Sequence, residues 1–258
     1  MTAVRIDTKV DFMEEKNAEL SQKLVEFYDG YVPVQQNSGI NDRIHGLYKR
    51  LLKAGLNTHS RVLELGCGIG SMTYLLSRTV KKGFIESVDI SPESIAFAQQ
   101  RIRQSNISLT TGNILHYIPK QSKFDFITLF DVIEHIPMEN HKDLFKNISR
   151  YTDEETRILI NIPNPDYIEY DIQNQPQLLQ VIDQPVPLDS IVNQLKANRL
   201  NLVFFENYSV WVEQDYQFFI IHKAKAFTEI RLSDHRNLFS KAKKKCERIF
   251  IKWKYPYC

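Results

Sequence analysis

The sequence is poor in cysteine, and its net charge is small. The 3 cysteines among 258 residues are Cys67, Cys246 and Cys258, and none belongs to a C-x-x-C pair. Neither a disulfide framework nor a zinc site is therefore indicated, which agrees with a reducing cytoplasm. The formal net charge is only +2, whereas a dedicated nucleic-acid binder usually has a concentrated basic surface. We therefore expect nucleic acid not to be the partner.

Long apolar runs are missing as well. No segment approaches the roughly 20 apolar residues of a membrane span, and Met1–Lys16 lacks the apolar core of a signal peptide. We therefore expect a cytoplasmic protein without a transmembrane segment. Hydrophobic residues make up 43% of the chain and charged residues 25%, which is ordinary for a globular protein of a size that buries one core with an appendage.

Glycine is scarce, yet three of the nine glycines fall within five residues. The largely apolar stretch Val62–Leu65 is typical of a buried parallel strand. Gly66, Gly68 and Gly70 follow at once, and because they carry no Cβ they let the backbone turn sharply and approach a ligand. A helix expected from Ser71 would point its free N–H groups into the same crevice. The stretch predicts a nucleotide-like cofactor site at the carboxyl end of a strand.

From Arg61 onward, strands and helices alternate. This order predicts an α/β fold with a three-layer, doubly wound sheet that is mostly parallel. Two strands near the end of the alternation are close enough in sequence to pair antiparallel. The expected strands are Arg61–Leu65, Phe84–Asp89, Ile107–Thr111, Phe124–Phe130, Arg157–Ile162, Leu200–Tyr208 and Tyr216–Lys223, and the expected helices are Ser71–Arg78, Pro92–Ser105, Asn140–Tyr151 and Asp189–Asn198.

Three segments surround or interrupt this alternation. Residues 1–55 predict a helical cap, with helices at Glu14–Phe27 and Asn41–Leu52 and a loop at Tyr28–Pro33. The cap either forms a lid that contacts the ligand or merely covers a sheet edge. Residues 56–225 are expected to form the cofactor-binding domain, with an insertion at 164–187 in which a short helix is predicted around Gln177–Ile182. That insertion either binds substrate on the ligand side of the sheet or is a plain long connection.

The tail, residues 226–258, is basic and helical in pattern. Its lysine run Lys241–Lys245 precedes Ile249, Phe250, Ile251 and Trp253. Such a run is typical of a solvated helix face, and the alternative is a weak contact with a membrane surface or an acidic partner. The sequence does not indicate an oligomeric state.

Two further features join the glycine turn. Asp89 ends the second strand roughly 20 residues beyond the glycines, which is the separation expected of a ribose-binding carboxylate. The fourth strand runs into a polar segment, Asp131–His135. Together these residues resemble the class I S-adenosylmethionine-dependent methyltransferases, in their small-molecule branch, from Leu56 to Lys223. Ser71 stands where the dinucleotide fingerprint G-x-G-x-x-G requires its third glycine.

The resemblance implies a Rossmann-like fold and S-adenosyl-L-methionine as the cofactor. It implies that Asp89 accepts hydrogen bonds from the ribose hydroxyls and that Ile90 packs on the adenine. Asn113 stands where the family commonly has an acidic residue near the adenine amino group. The cofactor-binding residues implied in this way are Glu64, Gly66, Cys67, Gly68, Gly70, Asp89, Ile90, Asn113, Ile114, Phe130 and Asp131.

His135 is the candidate catalytic residue. It follows the fourth strand, near the expected position of the transferable methyl group, and histidine removes a proton from a hydroxyl near neutral pH. The alternative is a histidine that only shapes this turn. Asp131, Glu134 and His135 are too few for the carboxylate pattern of metal-dependent relatives, so we expect no metal.

The acceptor is expected to be the hydroxyl or amine of a polar small molecule, such as a sugar or a glycan precursor. Two other functions stay open, namely a nicotinamide-dependent oxidoreductase and a cofactor-binding subunit without catalysis. An RNA methyltransferase that uses Lys241–Lys245 is a third alternative. The candidate acceptor-binding residues are Tyr28, Tyr31, Tyr167, Tyr170 and Asp183.

Overall fold

The protein is described from a computed structural model, which covers residues 8–226, 228–229 and 238–254. It divides into two units, Met1–Ala224 and Lys225–Cys258. The parts of the predicted cap and tail at residues 1–7, 227, 230–237 and 255–258, Cys258 among them, lie outside the described residues. Within the described residues, no helix combines the length and apolarity that a membrane crossing requires.

The first unit is organised by a seven-stranded sheet. Its order is β3-β2-β1-β4-β5-β7-β6, and β7 runs antiparallel to both of its neighbours, while β1 to β5 pair in parallel. The chain reverses its direction of winding between β1 and β4, which opens a crevice at their carboxyl ends. The predicted fold is confirmed. The strands are β1 (Arg61–Leu65), β2 (Phe84–Asp89), β3 (Ile107–Thr111), β4 (Phe126–Phe130), β5 (Arg157–Pro163), β6 (Leu200–Tyr208) and β7 (Tyr216–Lys223).

Helices cover both faces of the sheet, because side chains along each strand alternate between two apolar cores. In β1, Val62 points into one core with Leu76, whereas Leu63 points into the other with Phe145. The α-helices are α1 (Thr8–Ser38), α2 (Asp42–Lys53), α3 (Ser71–Thr79), α4 (Pro92–Arg101), α5 (His141–Arg150), α6 (Pro165–Asn174), α7 (Leu188–Ala197) and, in the second unit, α8 (Leu238–Lys254).

The loop predicted at Tyr28–Pro33 is wrong, because α1 continues through it to Ser38. Tertiary contacts outweigh the local helix-breaking signal. The Asp29 carboxylate accepts hydrogen bonds from the Ser91 hydroxyl at 2.5 Å and from the Glu93 N–H at 3.2 Å, which ties α1 to the start of α4. Pro33 is exposed, and because it has no N–H, the helix lacks the one hydrogen bond that this residue would donate to the Asp29 carbonyl oxygen.

The short helix predicted at Gln177–Ile182 is also wrong. The helix of this segment is α6, which begins at Pro165, while only a single 3₁₀ turn forms at Pro176–Leu178. Asn164 caps α6 by accepting a hydrogen bond from the Asp166 N–H at 3.2 Å, and Pro165 occupies the first helical position. The Asn164-Pro165 pair is thus a helix start signal, an N-cap followed by proline at the first helical position.

Replacing Pro33 by alanine should stabilise the protein. Proline at this position cannot donate to the carbonyl oxygen of Asp29, and alanine restores that donor. We expect the free energy of unfolding, measured with urea and circular dichroism, to rise by about 1–3 kcal/mol.

Pro165→Ala is the matched control, since a proline at the first helical position lacks no intrahelical bond. Its replacement should leave the free energy of unfolding unchanged or lower it by up to about 1 kcal/mol. A Pro33→Ala variant that is no more stable than the parent protein would contradict a continuous α1.

Candidate active site

A cavity of about 650 Å³ lies at the carboxyl ends of β1, β2 and β4. The turns after these strands form its floor, and α1 and α2 contribute the opposite wall. The structure brings together most residues that the sequence analysis selected. Those that line the cavity are Tyr28, Tyr31, Glu64, Gly66, Cys67, Gly68, Asp89, Ile90, Asn113, Ile114, Phe130, Asp131, His135 and Asp183.

Three selected residues do not line the cavity. Tyr167 and Tyr170 lie on α6, but the helix turns Ile168 toward the cavity instead, and Tyr170 is 52% exposed. Gly70 precedes α3 and packs against α4, where an added Cβ would lie 3.0 Å from the Ala98 Cβ. Gly70 therefore shapes the turn without reaching the cavity.

The glycine turn requires its glycines for backbone and steric reasons. Gly66 and Gly68 have φ angles of +78° and +51°, in the left-handed region that residues with a Cβ rarely adopt. A Cβ on Gly66 would also collide with Val132 Cγ2, and one on Gly68 would lie 3.0 Å from the Gln35 side chain of α1. The turn is thus packed between the segment after β4 and the cap helix.

The Asp89 carboxylate joins two neighbouring turns. Its Oδ2 accepts a hydrogen bond from the Gly68 N–H at 2.7 Å, and its Oδ1 accepts one from the Ser91 N–H at 3.0 Å. Burial raises the pKa of Asp89, whereas these two N–H groups oppose the rise. The carboxylate is therefore held rigidly at the cavity wall, with lone pairs left for a ligand.

Glu64 is buried in β1, where it faces α3. Its Oε2 accepts hydrogen bonds from the Thr73 hydroxyl at 2.5 Å and from the Ser87 hydroxyl at 2.7 Å. Burial raises its pKa to about 7 despite these donors. Glu64 thus fastens the first turn of α3 to β2 beneath the glycine turn.

Asp131 and Arg43 form an ion pair across the cavity. Arg43 Nη2 lies 3.2 Å from Asp131 Oδ2, and Arg43 Nη1 donates to the Tyr216 hydroxyl at 2.6 Å. The Asn161 amide donates to Asp131 Oδ1 at 3.1 Å. The guanidinium also lies 5.4 Å from the centre of the Trp211 ring, a cation–π distance. Among the described residues its Nε has no hydrogen-bond partner, although it is buried.

His135 is oriented through its Nδ1. This atom lies 2.6 Å from the Ile182 carbonyl oxygen and 2.9 Å from Asp183 Oδ1, so it carries the proton and donates. Nε2 lies 3.8 Å from Glu134 Oε1, which is too long for a hydrogen bond. Burial lowers the pKa of His135, but the Glu134 and Asp183 carboxyls outweigh it and raise that pKa to about 9.

Glu134 is a buried carboxyl that points into the cavity. Its residue surface is 2% exposed, and neither oxygen has a hydrogen-bond partner among the described residues. Burial raises its pKa to about 8, against the attraction of His135. Within the described ranges there is no group of three or more His, Cys, Asp or Glu side chains that could hold a metal ion. The absence of a metal from the reaction stays a prediction.

Most of the chain matches a known protein family. A family model described as a methyltransferase domain matches residues 37–240. The chain belongs to the methyltransferase-domain family. The predicted family and fold are thereby confirmed, while the comparisons do not support the nicotinamide-dependent oxidoreductase or the non-catalytic subunit.

Curated relatives, among them two methyltransferases, match part of this methyltransferase-domain chain. A malonyl-[acyl-carrier protein] O-methyltransferase of Priestia megaterium is 33% identical over 87 residues, which are 34% of this chain and 30% of the relative. A trans-aconitate 2-methyltransferase of Mycobacterium tuberculosis is 34% identical over 107 residues, 42% of this chain and 37% of the relative. The matched region thus spans about a third of each relative's length.

Solved structures share the fold. The magnesium protoporphyrin IX methyltransferase of Synechocystis PCC 6803, solved with bound SAH, superposes with a TM-score of 0.63 at 15% identity over 80% of this chain and 100% of that chain. An S-adenosylmethionine-dependent methyltransferase of Clostridium acetobutylicum gives a TM-score of 0.57 at 17% identity, over 79% of this chain and 99% of that chain.

Sequence analysis of the methyltransferase domain missed Arg43 and Gln35. Both come from the cap and reach the cavity only because α1 and α2 fold over the glycine turn. The one local signal was the short segment Asn41–Arg43, where Asn41 caps α2 and thereby places Arg43 in its first turn. Nothing in that segment specifies its partner Asp131, which is 88 residues further along the chain.

Gly66→Ala should destabilise the methyltransferase domain by about 2 kcal/mol or more, because alanine is strained at positive φ and its Cβ would overlap Val132. Urea unfolding measures this loss. Gly46→Ala is the matched control, since Gly46 lies inside α2 with nothing within 4 Å of an added Cβ. Gly46→Ala should raise the free energy of unfolding by about 0.5–1 kcal/mol. Equal effects of the two substitutions would contradict the geometry of the turn.

Proposed function

We propose that this chain transfers a methyl group from S-adenosyl-L-methionine to a polar small molecule. The observation that carries the proposal is the convergence of the glycine turn, the Asp89 carboxylate and the Asp131–Arg43 pair on one cavity. A cavity of about 650 Å³ has the volume of a cofactor-sized site. The methyltransferase-domain family is consistent with this activity.

The adenosine half of the cofactor fits the side of the cavity beside β2 and β3. Asp89 is fixed at the end of β2, where its remaining lone pairs suit ribose hydroxyls. Ile90 and Ile114 supply apolar walls for a planar base. The Asn113 side-chain oxygen already accepts from the Leu115 N–H at 3.0 Å, so its amide N–H₂ and one lone pair are left for the adenine.

The amino-acid half fits the opposite side. Arg43 is a half-buried cation whose buried Nε–H lacks a partner among the described residues, and a carboxylate would satisfy it. Glu64 and Asp131 are carboxyls that suit an ammonium group. When bound, the cofactor supplies a methyl group activated by its sulfonium for in-line displacement. The contribution of the protein is to align the acceptor and to remove its proton.

His135 is the group we propose for proton removal. Asp183 and the Ile182 carbonyl hold its Nδ1–H, which leaves Nε2 as the atom that accepts a proton. Asp131, Glu134 and Asp183 are the carboxyls around it, and the ring of Tyr28 lies 6.1 Å from its own ring. These carboxyls favour the protonated imidazole, so only the deprotonated minority is active at neutral pH.

We further propose that the acceptor carries hydroxyl groups, and that a sugar or glycan precursor belongs to this class. Tyr28, Tyr31 and Asp183 line the cavity and support this choice, because they offer two aromatic rings and a hydrogen-bonding carboxylate. The mixture is less suited to an apolar lipid. The direct test is methyl transfer from radiolabelled cofactor to a panel of sugars, amines and carboxylic acids. Labelling of carboxylic acids alone would exclude the hydroxyl acceptor.

Asp89→Asn should weaken binding of S-adenosylhomocysteine, measured by calorimetry, by about 1.5–3 kcal/mol, because hydrogen bonds to a charged group are lost. Asp125→Asn is the matched control. Asp125 also accepts a backbone N–H bond, from Arg61 at 2.7 Å, but it precedes β4 and lies outside the cavity. Asp125→Asn should leave the affinity for S-adenosylhomocysteine unchanged. Equal affinities of Asp89→Asn and the parent protein would refute the cofactor site.

The rate with a hydroxyl acceptor should rise with pH up to about 9. His135 must be neutral to accept a proton, and its pKa of about 9 makes the neutral form scarce below that pH. Asp183→Asn removes a negative neighbour, so it should lower the apparent pKa and move the rise to lower pH.

His135→Gln should abolish the pH-dependent rise while leaving the affinity for S-adenosylhomocysteine intact. The pH profile of kcat/KM for the three proteins decides the role. A parent profile that is flat between pH 7 and 9.5, or an Asp183→Asn profile that coincides with it, would return His135 to a purely structural role.

A further inference from the structure

Helix α8, in the second unit, has one apolar side. At 3.6 residues per turn, five of its residues share an arc of about 100°, the width of a core-facing stripe in a globular protein. Here, however, its large members are exposed: Ile249 is 59% exposed, Phe250 53% and Trp253 78%. The five residues of this apolar face are Ala242, Cys246, Ile249, Phe250 and Trp253.

The rest of α8 is strongly basic. Its 17 residues include seven lysines and arginines and a single acidic residue, Glu247. The helix therefore carries a charge of +6, although the whole chain has a net charge of only +2. Lys243 and Lys245 fall on the two borders of the apolar face, where long side chains extend their ammonium groups away from apolar surroundings.

We propose that α8 binds the surface of an anionic lipid membrane, lying in the interface with its apolar face toward the acyl chains. An apolar face with tryptophan and phenylalanine, bordered by lysines, has the chemistry of helices that lie in the membrane interface. The basic residues would attract anionic headgroups. A helix that lies in the interface contacts the membrane from one side only. Such binding needs no membrane-spanning helix, and the described residues contain none.

Other occupants fit the helix less well. Two copies of α8 packed face to face would bring charges of +6 against each other, which disfavours self-association. A nucleic acid would satisfy the basic residues, but it offers no site for Ile249, Phe250 and Trp253 together. The lipid surface is the partner that accounts for the apolar and the basic side at once.

The test uses the full chain and two isoleucines of the same helix. Ile249 lies on the apolar face, whereas Ile251 lies on the opposite, basic side and is 55% exposed. Binding to vesicles of phosphatidylglycerol and phosphatidylcholine is measured by sedimentation at low salt. We expect Ile249→Gln to weaken binding about tenfold, and Ile251→Gln to change it less than about twofold. Since the two substitutions change helix propensity equally, the difference reports the face.

Two further measurements identify the partner. Vesicles of phosphatidylcholine alone should bind more weakly, and about 1 M salt should weaken binding to the anionic vesicles, because the Debye length falls to about 3 Å. The chain has two tryptophans, so Trp211→Phe leaves Trp253 as the reporter. Its fluorescence emission should move to shorter wavelength when anionic vesicles are added.

Several results would overturn the proposal. The first is that the protein does not bind anionic vesicles. The second is that Ile249→Gln and Ile251→Gln weaken vesicle binding equally, and the third is that vesicles leave the Trp253 emission unchanged. RNA binding that Ile249→Gln leaves intact, without vesicle binding, would identify a nucleic-acid contact instead. Self-association that Ile249→Gln abolishes, again without vesicle binding, would identify a second copy of the chain. None of these measurements depends on methyl transfer.

Discussion

The hydrogen bond from the Gly68 N–H to the Asp89 carboxylate connects the two strands on which the cavity depends. The N–H groups of Gly66 and Cys67 also donate to the Val88 carbonyl oxygen, at 2.8 and 3.1 Å. Three hydrogen bonds thus attach the turn after β1 to the end of β2. This arrangement requires left-handed backbone at Gly66 and Gly68. The same atoms therefore fix the floor of the cavity and hold Asp89 against its wall.

Acidic groups dominate the cavity, and each is stabilised differently. Hydroxyl and backbone donors satisfy Glu64 and Asp89, Arg43 balances Asp131, and His135 balances Asp183. Glu134 has no hydrogen-bond partner among the described residues and lies 3.8 Å from His135 Nε2, and its raised pKa of about 8 keeps it neutral over much of the physiological range. With Glu134 neutral, four carboxyls face two cations here, which suits a ligand with cationic groups such as a sulfonium and an ammonium. Charge balance thus supports the proposed cofactor independently of the glycine turn.

The strands and the glycine turn were predictable because their signals are local. The predicted bounds of β2, β3, β6 and β7 agree with the structure, since apolar alternation and flanking turn residues mark them. The continuity of α1 was not predictable, because it depends on the contact of Asp29 with Ser91, 62 residues away. The role of Arg43 was hidden for the same reason. An isolated long-range ion pair or hydrogen bond leaves no periodic trace in a sequence.

His135 shows how orientation and basicity oppose each other in this site. The Asp183 carboxylate that fixes the ring of His135 also favours its charged form, so the imidazole held in this orientation is mostly protonated near neutral pH. Asp183 belongs to the segment after β5, whereas His135 follows β4, and only the folded insertion brings them together.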